Sequence, residues 1–179
     1  FFLSLGCSND FELIDKNHLS DYKIVTEDLN KDVADTLNNY LQKSFGIKLE
    51  ITSESNAENL IFLNLNNSNK KNISLEFKDG LIEIAGSDKE HLFYSLYEFI
   101  EKYLKVRWLT DRYTHFEKLN NVSIPKKFKK IYYPPITTRT VHSQLFYNNS
   151  DFADKLKVTN TAFPNYVPEA RVHTFHRFV

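Results

Sequence analysis

Two alternating runs separated by Lys78-Asp79-Gly80 constrain this chain more than any other feature. Residues 73–77 (Ile-Ser-Leu-Glu-Phe) and 81–85 (Leu-Ile-Glu-Ile-Ala) carry apolar side chains at every second position, as half-buried strands do. Asp-Gly between such runs predicts a tight hairpin, because both turn positions need positive φ. Gly86-Ser87-Asp88-Lys89-Glu90 follows at once. Ser87 and Glu90 have capping-box spacing, which predicts a helix that Ser87 caps. Leu92, Phe93, Leu96, Tyr97, Phe99, Ile100, Tyr103 and Leu104 then form a wide apolar stripe. Such a stripe belongs to a helix lying on a sheet. Lys102 and Lys105 stand where the helix dipole favours cations.

The rest of the first two thirds supplies the sheet. Residues 22–26 and 60–65 read as strands, the second apolar enough at its start to be covered on both faces. Residues 29–45 read as a helix with Val33, Leu37, Tyr40, Leu41 and Phe45 on one face, Asp28 or Asn30 as cap and Gly46 as stop. Residues 47–51 alternate strictly, and 106–109 read as one more short strand. The expected fold class is α+β: a mixed β-sheet with two helices packed on it. Residues 119–135 hold four lysines and three of the five prolines with no clear period, and read as an extended linker. Residues 136–141 are β-prone, 148–158 suit a short helix, and 171–179 read as a strand.

Composition narrows the function classes. Of 179 residues, 41 % are hydrophobic and 15 % aromatic, enough for a sizeable core. The formal charge is zero, so there is no basic field for nucleic acid. Only four glycines occur and no phosphate-loop pattern is present. The single cysteine, Cys7, forbids an intrachain disulfide. It follows the apolar run Phe1-Phe2-Leu3-Ser4-Leu5-Gly6 and precedes Ser8-Asn9-Asp10. That order looks like the end of a bacterial lipoprotein signal, with Cys7 as the lipid attachment point and the sequence starting inside the signal. The alternative is an ordinary apolar N-terminus with a buried thiol. Residues 8–20 then read as a polar tether. No run is long and apolar enough to span a bilayer.

Few side-chain groupings point to chemistry. His173 and His176 are three apart, but their segment reads as extended and lacks a third ligand, so no metal is expected. Asp88, Glu90, Glu98 and Glu101 fall on the solvated side or at the cap of the predicted helix, not at a catalytic spacing. Trp108, beside Arg107, suits either a core position or a stacking platform for a sugar ring.

Residues 86–109 carry a resemblance. Gly-Ser-Asp-x-Glu, then Leu-Phe-Tyr-Ser-Leu-Tyr-Glu-Phe-Ile-Glu, then Leu-Lys-Val-Arg-Trp-Leu resembles the small α/β domain that precedes the barrel in β-hexosaminidases of glycoside hydrolase family twenty and in α-glucuronidases. Pro134-Pro135-Ile136-Thr137-Thr138-Arg139 resembles entry into a first barrel strand. Residues 171–179, with His173-Thr174-Phe175, look like a segment of a family of bacterial glycosidase-like lipoproteins. The resemblance covers about residues 22–179 and implies four regions: a truncated lipoprotein signal and tether (1–20), an α/β domain (21–118), a linker (119–135) and the beginning of a truncated (β/α)8 barrel (136–179). It implies the front portion of an exported glycoside hydrolase, lipid-anchored in the cell envelope and packed on its own downstream barrel. Arg139, His142 and His173 would contact a glycan substrate. The catalytic carboxylates would lie beyond residue 179, so the fragment itself would be inactive, with no cofactor. The rival readings are a non-catalytic glycan-binding lipoprotein and a structural accessory domain.

Overall fold

The computed structural model describes residues 11–54, 58–136, 139, 141, 145–146 and 149–158. The chain divides into two compact units, Phe1–Arg107 with Phe116–Pro134, and Trp108–His115 with Pro135–Val179.

The first unit is built on a six-stranded mixed sheet. Its strands are β2 (Lys23–Thr26), β3 (Glu50–Thr52), β4 (Leu60–Leu65), β5 (Ile73–Lys78), β6 (Leu81–Gly86) and β10 (Lys127–Tyr132), in the order β10-β5-β6-β4-β2-β3. Strands β3, β2, β4 and β6 run parallel, while β5 is antiparallel to both β6 and β10. The register puts Ile24, Ile61, Ile82 and Phe77 in one cross-strand row, and Leu63, Ile84 and Leu75 in the next. All seven are buried.

The expected hairpin is present. Lys78 pairs with Leu81 across a two-residue loop, with φ of 50° at Asp79 and 83° at Gly80. Two positive φ values give the turn the same hand as the twist of its strands.

Two long helices cover the sheet. Helix α2 (Lys31–Phe45) starts after a 3-10 turn (Asp28–Asn30) and ends on Gly46, left-handed at φ 71° as the sequence predicts. Asn30 sits at its N-cap without a side-chain cap bond. Asn38 on α2 holds the chain entering β3, exchanging bonds of 2.8 and 2.9 Å with the Leu49 N–H and carbonyl.

Helix α3 (Lys89–Tyr103) is buried on most of its circumference: His91, Leu92, Tyr94–Tyr97, Phe99, Ile100 and Tyr103 are all inside. It leaves β6 and turns straight back onto it. A Cβ placed on Gly86 would stand 2.2 Å from the Leu92 nitrogen and 2.4 Å from the His91 carbonyl carbon. At those distances only glycine fits.

Two segments differ from their expected roles. Within residues 8–20, read as a tether, β1 (Phe11–Asp15) pairs antiparallel with β9 (Asn121–Pro125), and a one-turn helix α1 (Lys16–Ser20) follows, capped by Asp15. The ribbon buries Ile14, Val122 and Ile124, and β9 lies against α3. The presumed linker, residues 119–135, therefore carries two hydrogen-bonded strands. Strand β10 closes one edge of the main sheet. Phe128 stacks on Phe77 (5.7 Å), which meets Tyr103 edge-on (5.0 Å). Lys129 reaches Glu76 (2.6 Å) and Lys130 reaches Glu98 on α3 (2.7 Å). These lysines made the stretch look solvated; each is tied to a carboxylate already fixed in the fold.

Strands β7 (Val106–Trp108) and β8 (Thr114–Phe116) form a short two-stranded ribbon. Trp108 is buried, which favours its reading as a core residue. In the second unit a short helix, α4 (Ser150–Lys155), stands where 148–158 predicts one, with Phe146 stacked on Phe152 at 5.6 Å. No strand occurs after Tyr132 among the described residues, and no barrel is seen. Residues 171–179 lie outside the described residues.

Leu96, fully buried on α3, is expected to cost about 2–5 kcal/mol on replacement by alanine. Gly86→Ala forces the helix off β6, and overpacking of this kind costs about 1–3 kcal/mol or more. Urea unfolding followed by circular dichroism measures both; a Gly86→Ala protein as stable as wild type would contradict the contact.

Candidate functional site

The carboxyl ends of the parallel strands β2, β4 and β6 gather at one rim of the sheet. In open α/β sheets that rim is where ligands bind. Here it is laced with side-chain hydrogen bonds. The Thr26 hydroxyl donates to the Leu63 carbonyl (3.0 Å), and the Asn66 amide to Asn72 Oδ1 (2.7 Å). The Asn72 N–H donates to Ser87 Oγ, and the Ser87 N–H to the Asn72 carbonyl, both at 3.1 Å. Ser87 thus holds the 66–72 loop and does not cap the helix.

The cap is Asp88. One of its carboxylate oxygens accepts from the His91 N–H (2.9 Å) and lies 2.8 Å from His91 Nδ1, while the other meets the Lys71 ammonium. Asp88 and His91 have the same i, i+3 spacing as Ser87 and Glu90. Asp88 wins the position because a carboxylate complements the helix N-terminus better than a hydroxyl does. Glu90 turns away to accept from the Tyr94 hydroxyl (2.7 Å). Lys89 bridges to Asp32 (2.9 Å) and to the Leu29 carbonyl (3.1 Å), joining the starts of α2 and α3.

Asp88, Glu90 and His91 bring one ligand atom each within 4.8 Å of one another. Two carboxylates and an imidazole are a plausible donor set for a divalent cation. The surroundings work against it. Lys71 already places a positive charge on Asp88, His91 Nδ1 is directed to the same carboxylate, and the helix N-terminus adds positive potential. Burial raises the Asp88 pKa, but the bonds from Lys71 and His91 outweigh it and hold the carboxyl down at about 2. The cluster is an ionised cap, and it ties the 66–72 loop to the helix.

Of the residues that the sequence points to, Arg139 is described. Its Nε donates to the Lys157 carbonyl (2.6 Å) and its Nη1 to the Ile136 carbonyl (2.8 Å), so it fastens two stretches of the second unit. Cys7, His142, His173 and His176 lie outside the described residues. Glu98 pairs with Lys130, and Glu101 accepts from Arg107 through its backbone carbonyl (2.7 Å). Sequence reasoning passed over Lys71 and His91. His91, three residues after Asp88, carries the one local signal that could have marked the cap.

No protein-family model and no curated protein sequence matches the chain. Solved structures do. A family GH115 4-O-methyl-α-glucuronidase with specificity for decorated arabinogalactans is similar, with a TM-score of 0.50 and 19 % identity over 68 % of this chain and 19 % of that enzyme. A Streptomyces plicatus β-hexosaminidase in complex with its GlcNAc product has a TM-score of 0.41 and 14 % identity, over 52 % of this chain and 18 % of that one. The chain therefore matches under a fifth of either enzyme's length. At these identities the likeness is one of fold, and of these two structures the glucuronidase carries it. No helix among the described residues is long and apolar enough to cross a membrane.

The Asp88 carboxylate stabilises the fold through a pKa lowered from about 4 in the unfolded chain. That contribution is complete above the unfolded value and is lost as the pH falls through about 2. Asp88→Asn is therefore expected to melt lower than wild type at neutral pH, with the gap closing between about pH 4 and pH 2. A gap of constant size down to pH 2 would show that the charge contributes nothing.

Proposed function

We propose that the chain contributes an accessory α/β domain to a larger glycan-active protein. The observation that carries this reading is the extent of the fold match: two thirds of the chain superposes on a domain-sized piece of an α-glucuronidase. The chemistry of the first unit supports a supporting role. Its one carboxylate–imidazole cluster among the described residues is consumed in capping α3. Retaining and inverting glycosidases need two carboxylates about 5–10 Å apart across a sugar. Glu90 is bonded to Tyr94, and Glu98 to Lys130.

In this reading the catalytic carboxylates belong to a barrel that follows residue 179, and the first unit packs on it. Arg139, His142 and His173 belong to the sugar pocket of the whole protein, and the Ile136 and Lys157 carbonyls orient the Arg139 guanidinium. Cys7 carries the lipid that anchors the protein in the cell envelope, where polymeric glycans are met.

The 179-residue chain is expected to release no sugar from arabinogalactan or from aryl glycosides. A version extended into the barrel is expected to release it. In that version Arg139→Ala frees the Ile136 and Lys157 carbonyls and should lower the melting temperature; measured on the folded protein, kcat/KM should fall by roughly 100-fold, the pattern of a residue that contacts the substrate. Turnover by the 179-residue chain would overturn the accessory role. An Arg139→Ala protein that melts early yet stays active would place Arg139 in the scaffold.

A further inference from the structure

We draw no further inference here: the strongest candidate, the N-terminus of α2 at the rim of the sheet, where buried Asn30 leaves its side-chain oxygen without a partner among the described residues, is already filled by the Asp32 carboxylate, which accepts from the Val33 N–H and holds Lys89, and nothing in the structure shows Asn30 directed at a ligand.

Discussion

The first unit depends on how closely α3 returns to β6. The chain leaves the strand at Gly86 and enters helix at Lys89 after two intervening residues, with no room for a side chain at the bend. That closeness sets everything around it. It presses Leu92, Leu96 and Ile100 into the rows of Ile, Leu and Phe on the sheet. Ser95 comes within 2.6 Å of the Ala85 carbonyl, so its hydroxyl is buried and satisfied. The N-terminus of α3 is left at the rim, where Asp88, Lys71 and His91 neutralise it. Because α3 is buried on most of its circumference, it is also covered away from the sheet, by α2 and β9.

Much of this was legible in the sequence, for reasons that are local. Asp79-Gly80 can adopt its two positive φ values wherever it occurs, and alternation on either side fixes which faces the strands bury. The stripe on α3 has a period that only a helix satisfies. What was not legible depends on partners distant in sequence. In β1 the alternation is inverted: Phe11 and Leu13 are 57 % and 65 % exposed while Glu12 is half-buried, so the strand resembles a polar tether. In β10, Lys130 stands in the helix-facing row where an apolar residue belongs, because Glu98 waits on α3 to receive it. No scan of residues 119–135 alone reveals that carboxylate. Surface ion pairs of this kind are worth about 0–1 kcal/mol each, so Phe128 on Phe77 and the strand pairing do most to hold β10. The cap shifted by one residue for a similar reason: Ser87 was recruited by Asn72.

The candidate site was legible only in part. Residue types at the rim are common, and only the sheet order brings Asn66, Asn72, Lys71 and the start of α3 together. Arg139 was chosen for donors that could face a sugar, and two of those donors meet backbone carbonyls. The helix side of the sheet is a closed apolar core, and the other face sets Lys78, Lys127 and Lys129 beside Glu76 and Glu83.

The central claim is that the N-terminal ribbon and the β10 edge belong to one cooperative unit with α3. Native-state hydrogen exchange measures this directly, since a cooperative unit opens with a shared free energy. The protected amides of β1, β9 and β10 are predicted to exchange through the same global opening as those of Leu96 and Ile100 in α3. Amides of β1 and β9 that exchange at the rate of an unstructured chain, while α3 stays protected, would return residues 11–15 to the role of a tether and contradict the account.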